Sequence, residues 1–216
     1  MVNGFIILFG LTMLYLASTS RIIAHIRILI VQGILLFLIC CAGAEHMNIF
    51  NFLFLLLETF IVKAVLIPIF LYKVLKKTHS NRDEAPNIPH FYCLVISSLI
   101  LLAGFLVSNY YFSSEKMISP LYFGVSVATI IISLWLITIK HKIISNVIEF
   151  ITMENGIFLL SLSIAKEMPM LVNIGVLLDV FIAVYILGLF VNAINKEFKD
   201  LEVSHLSDLK DYEYND

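Results

Sequence analysis

Seven apolar runs follow one another along the chain, parted by short polar or charged breaks. Their approximate limits are 3–19, 22–44, 49–74, 89–111, 118–139, 143–165 and 170–194. A helix that crosses a bilayer needs ~20 apolar residues at a rise of about 1.5 Å each. The pattern therefore predicts an all-α polytopic membrane protein with about seven transmembrane helices. The first run is short and the third long, which implies tilt or uneven depth. Pro89, Pro120 and Pro169 stand near the starts of runs four, five and seven, where a missing N–H costs little. Pro68 lies inside run three and predicts a kink that frees the carbonyl of Ala64. No basic stretch precedes the first run, so it reads as a retained helix rather than a cleaved signal.

Composition agrees with this reading. The 216 residues are 60% hydrophobic and 14% charged, against about 25% charged in an average soluble domain. The positions of the charges also fix an orientation. With the N-terminus outside, the inner loops and tail carry eleven basic residues: Arg21, Arg27, Lys73, Lys76, Lys77, Arg82, Lys140, Lys142, Lys196, Lys199 and Lys210. The outer loops hold two, Lys116 and Lys166. That asymmetry places the C-terminal tail in the cytoplasm. The cysteines Cys40, Cys41 and Cys93 lack metal-ligand spacing and read as small apolar side chains. No phosphate loop, dinucleotide fingerprint, nucleophile triad or basic nucleic-acid motif is present. The chain is expected to bind no metal, cofactor or nucleic acid.

The two halves look related. QGILLFL (32–38) resembles NGIFLLS (155–161) at an offset of 123, and LLETFIVKAVL (56–66) resembles LLDVFIAVYIL (177–187) at 121. Each half then forms a three-helix unit, 1–75 and 118–195, in a parallel repeat. Residues 76–117 supply a polar loop and a linker helix, and 196–216 a charged tail.

Five ionisable side chains interrupt the apolar runs: Glu58 and Lys63 in the third, Glu149 and Glu154 in the sixth, and Asp179 in the seventh. A charge at bilayer centre costs roughly 2.5–3.5 kcal/mol on insertion scales and marks a functional candidate by default. Glu149 and Glu154, five residues apart, lie about 140° apart around a helix and about 7.5 Å along it. Glu149 shares a face with Ser145 and Thr152, and Glu154 one with Ser161. Helix six is thus polar on two sides and must pack between neighbours, with Gly156 permitting close approach. Asn155 adds a carboxamide beside Glu154. Glu149, nearest a helix end, could instead snorkel, and His25 reads as interfacial. The five-residue separation of Glu58 and Lys63 places them poorly to pair, so Lys63 calls for an acid elsewhere. Such a set suits a proton or ion relay, or else acids that only fix helix packing.

The Met-Glu-Asn-Gly at 153–156, the segment around Asp179, the stretch KAVLIP (63–68) and the tail LEVSHLSDLKD resemble hydrogenase-4 component E. The resemblance covers nearly the whole chain. It implies a non-catalytic integral subunit of a membrane-bound NiFe-hydrogenase complex of the formate hydrogenlyase type, related to complex I. It further implies antiporter-like membrane subunits as partners. The second half is similar to the K-type subunit of complex I, and Asp179 falls where the second of that subunit's path glutamates would lie. The Gly-Leu-Glu motif carrying the first is absent here, its acid aligning near Ile151, so Glu154 or Glu149 would have to serve. Two other readings stay open: a subunit of a multi-subunit cation/proton antiporter, and a structural anchor for the complex.

Overall fold

The computed structural model describes residues 2–42, 56–78, 89–112 and 120–164, together with Phe181 and Gly188. The described segments form six helices. They are α1 (Val2–Ser18), α2 (Ile22–Ala42), α3, α4 (His90–Phe112), α5 (Pro120–Ile139) and α6 (Ile143–Ile164). Helix α3 is a π-helical stretch, Glu58–Leu66, continued by an α-helical one, Ile67–Thr78. Four of the six, α2, α4, α5 and α6, are long and apolar enough to cross a membrane, while α1 is a shorter apolar helix. The chain is a multi-pass membrane protein. The predicted seventh span lies outside the described residues.

Local chemistry sets the helix ends. Thr19, Ser20 and Arg21 part α1 from α2, and the Thr19 hydroxyl accepts the Arg21 N–H at 3.4 Å. Lys140, His141 and Lys142 part α5 from α6. Both links are too short for anything but antiparallel neighbours. Pro89 precedes α4, and its carbonyl accepts from Tyr92 and Cys93 at 2.9 and 3.3 Å. Pro120 opens α5, where its fixed φ suits a first helical residue.

The irregular turn at Pro68 takes a specific form. Instead of a simple freed carbonyl, the turns before the proline widen, and the Ile67 N–H reaches back five residues to the Val62 carbonyl. A π-helical register moves the preceding carbonyls relative to the ring that would strike residue i−4 of an α-helix. The α-helical spacing rule used for Glu58 and Lys63 therefore does not hold across this stretch. Helix α3 also runs on to Thr78, past the apolar limit at residue 74, since lysine is a good helix former.

Three apolar clusters hold the bundle. At the end where α2 begins, Ile22, Ile26 and Leu29 meet Leu71 and Val74 of α3 and Ile144 and Ile148 of α6. At the opposite end, Leu36 and Ile39 of α2 meet Ile6 and Phe9 of α1 and Phe158 of α6. Helices α2 and α6 are consequently parallel neighbours, with α3 antiparallel to both. A third cluster joins Met13 and Leu16 of α1 to Cys93 of α4 and Ile132 and Leu136 of α5.

Small residues allow the closest crossings. A Cβ on Gly33 would lie 2.8 Å from the Ala64 Cα, so α2 and α3 touch backbone to backbone. Gly104 of α4 and Gly124 of α5 face one another in the same way. Lipid offers apolar side chains no less than protein does, so such van der Waals fit carries much of the association. Gly33→Ala should therefore force α2 from α3 and cost ~1–3 kcal/mol, read as a lowered thermal midpoint in detergent. Gly4→Ala, where a Cβ meets nothing within 4 Å, should leave the midpoint unchanged.

Candidate functional site: a buried polar seam between α2 and α6

Helix α2 carries His25 and Gln32 seven residues apart on one face. Helix α6 carries Glu149, Thr152 and Asn155 at intervals of three. The parallel packing of the two helices brings these rows together at two levels, separated by about 10 Å.

The first level lies at the end rich in basic residues. Glu149 is fully buried and forms an ion pair with Lys140, whose side chain is 8% exposed. The Lys140 Nζ also lies 3.4 Å from the His25 Nδ1. On the far side of the ring, Nε2 is 3.0 Å from the Thr19 carbonyl. These contacts define one consistent tautomer: Nε2–H donates to the carbonyl and Nδ1 accepts from the ammonium. Next along α6, the buried Thr152 hydroxyl donates back to the Ile148 carbonyl at 3.0 Å.

The second level is a directed chain of amides and hydroxyls. The Asn155 Nδ2 donates to the Gln32 Oε1 at 3.2 Å. The Gln32 Nε2 donates to the Thr12 Oγ1 at 2.9 Å and to the Met13 Sδ at 3.3 Å. Thr12 in turn donates to the Phe9 carbonyl at 2.6 Å. The chain ties α6 to α2 and α2 to α1. Gln32 and Asn155 stand 123 positions apart, the offset at which QGILLFL and NGIFLLS align.

Glu154 adjoins this level and is 2% exposed. Phe158 follows it by one turn on the same face of α6, and the Lys63 ammonium of α3 sits over that ring, 4.4 Å from its centroid. A desolvated cation over an aromatic face gains about 2 kcal/mol or more. Lys63 is 4% exposed, so the π-helical stretch delivers it into the bundle beside the face of α6 that bears Glu154. Gly156 lets α5 close on the other side, where a Cβ would meet Thr129 and Ile130 at 3.0–3.1 Å.

The structure thus gathers Glu149, Glu154, Asn155 and Lys63 around α6. Glu58 begins the π-helical stretch, but its side chain lies outside the described residues, as does all of Asp179. His25, near the start of α2, is fully buried, and Thr19 and Lys140 supply polar partners for both ring nitrogens. Of the two readings open for Glu149, the packed one holds, because Lys140 turns inward to meet it. Gln32, His25 and Lys140 were missing from the candidates. The seven-residue spacing of His25 and Gln32 on one face was the available signal. Among the described residues, no group of three or more His, Cys, Asp or Glu is placed to hold a metal ion.

Helices that bury two carboxylates, a lysine, a histidine and paired amides, with apolar residues outward, define a membrane protein with an internal polar axis. The chain is distantly homologous to hydrogenase-4 component E. It is 25% identical to that protein of Escherichia coli (strain K12) over 189 residues, covering 84% of this chain and 82% of the relative. The component E of Shigella flexneri gives the same values. The "Uncharacterized protein Rv0085" of Mycobacterium tuberculosis is 23% identical over 132 residues, and the match spans 61% of this chain and 60% of that protein's length. No family model matches the chain, and no solved structure does.

The buried ion pair has a measurable signature. Lys140→Met alone strands the Glu149 charge and should cost about 3–5 kcal/mol, while the double variant K140M/E149L should recover most of that loss. Thermal midpoints of the four proteins in one detergent read the coupling. Additive losses would show that the two side chains do not depend on one another.

Proposed function

We propose that this chain is a non-catalytic membrane subunit of a group 4-type NiFe-hydrogenase complex related to complex I. In this reading it forms part of the buried path that couples hydrogen chemistry to ion translocation. One observation carries the reading: two buried carboxylates, Glu149 and Glu154, stand five residues apart on α6, one in the internal polar seam and one beside it. The homology to hydrogenase-4 component E supports the placement in such a complex. The basic residues at the α2 entrance support an orientation with that end in the cytoplasm.

The residues divide the work by their chemistry. Carboxylates titrate and amides do not, so protons reside on Glu149 and Glu154 and pass between them through water across about 7.5 Å of helix. Lys140 pairs with Glu149, and a proton arriving there releases the lysine toward His25. The Gln32–Asn155 bond holds α2 and α6 in register, so the acids keep their spacing. Lys63, over the Phe158 ring one turn beyond Glu154, adds a second ionisable group there, so this level answers a change of charge in a neighbouring subunit. Asp179 and Glu58 are further relay candidates by sequence, antiporter-like subunits are the partners, and metal centres belong to other chains. The offset shared by the Gln32–Asn155 pair and the sequence alignment supports the parallel repeat, with these residues meeting near its axis.

An anchoring role alone is the second reading, favoured by the Lys140–Glu149 pair, which already satisfies one acid without any proton movement. Glu154→Gln and Asp179→Asn separate the two. In a coupling subunit, each should lower hydrogen-linked proton translocation at least tenfold in membrane vesicles. Hydrogen turnover with an artificial dye and assembly of the complex should persist. Full translocation in both variants would overturn the relay, and loss of assembly with normal coupling of the surviving complex would support the anchor.

A further inference from the structure

A groove of about 610 Å³ runs between α2 and α3 on the outside of the bundle. It lies on the opposite side of α2 from the polar seam's contacts with α6, and the relay makes no use of it. Its deeper walls are apolar: Ile30 of α2 and Val65, Pro68 and Ile69 of α3. Its mouth is basic, lined by Arg27, Lys73 and Lys76, with Tyr72 between the two zones.

Helical spacing produces this division. Ile69, Tyr72 and Lys76 follow at three and four residues, one stripe along the α-helical part of α3, and Val65 lines the groove from the end of the π-helical stretch. Arg27 and Ile30 lie together on α2, which runs the other way. Arg27 lies five residues inside the start of α2 at Ile22, and Lys73 five residues before the end of α3 at Thr78. Both therefore sit about 7.5 Å in from the same end of the bundle, a depth from which long side chains reach the interface. Among the described residues, none of the three basic side chains forms an ion pair with a carboxylate. The close α2–α3 crossing at Gly33 and Ala64 closes the groove at depth.

We infer that this groove is a binding site for an anionic phospholipid, its acyl chain along Ile30, Val65 and Ile69 and its phosphate at Arg27, Lys73 and Lys76. An occupant must be apolar at depth and negative at the interface, and an anionic lipid of the surrounding leaflet is both. The volume falls within the ~300–1,000 Å³ of small-molecule sites. Each basic residue near a membrane surface favours an anionic headgroup by about fivefold, so three set a preference of about a hundredfold over a zwitterionic one. The site is independent of the proton-coupling role.

The test uses the full chain, purified in mild detergent with whatever subunits accompany it. It is titrated with dioleoyl phosphatidylglycerol or dioleoyl phosphatidylcholine at matched concentration, and bound lipid is counted by native mass spectrometry. Phosphatidylglycerol should bind preferentially, and R27Q/K73Q/K76Q should weaken it at least tenfold. Ile69→Trp, which fills the groove and leaves every charge in place, should do the same. R27K/K73R/K76R should bind like the native chain, which guards against loss through misfolding. Equal binding of the two lipids, or undiminished phosphatidylglycerol binding in Ile69→Trp, would overturn the site. So would cross-linking of Lys73 to an acidic partner subunit in the native membrane.

Discussion

The hydrogen bond between Gln32 and Asn155 is the contact around which the rest is arranged. In hydrocarbon, a side-chain amide without a partner costs several kcal/mol, so two amides on separate helices bind those helices in one register. Once α2 and α6 are held there, His25 comes within reach of Lys140, which the turn into α6 already brings to Glu149. The same register sets Phe158 under Lys63. Thr12 and Met13 bring α1 into the arrangement from the far side of Gln32. A slip of one turn on either helix would leave two amides buried and unmatched and would part His25 from Lys140.

Two other constraints make room for that contact. Glycines at 33 and 156 bring α3 and α5 hard against α2 and α6, so the seam is closed on one flank by the backbone of Ala64 and on the other by the side chains of Thr129 and Ile130. The proline at 68 and the wide turns before it carry Lys63 inward on an otherwise apolar helix. A nine-residue π-helical stretch is uncommon, and such irregularity concentrates at functional sites. The polar seam and the basic groove thus use opposite sides of α2: one faces inward to acids, the other away from them.

The helices were legible from the sequence because a bilayer imposes one length and one polarity on every span. The predicted runs at 22–44, 89–111 and 143–165 differ from Ile22–Ala42, His90–Phe112 and Ile143–Ile164 by a residue or two. The burial of Glu149 and Glu154 was legible too, because a helix polar on two sides has no side to give to lipid. The partners were not. Lys140 reads as a loop cation, and only the tight turn from α5 into α6 reveals that its side chain folds back over nine residues to Glu149. Gln32 carries no charge and drew no attention. Yet the internal alignment had already set it opposite Asn155, at the offset of 123 residues that their hydrogen bond spans. Pro68 announced an irregular turn but not its kind, since widening and kinking relieve the same clash.

Membership in a hydrogenase-type complex is the claim on which the reading of these acids depends. Its most direct test is mass spectrometry of everything that co-purifies with the tagged chain from native membranes in mild detergent. The account predicts NiFe-hydrogenase large and small subunits together with antiporter-like membrane subunits. Recovery of antiporter-type subunits without any hydrogenase, or of the chain alone, would contradict it.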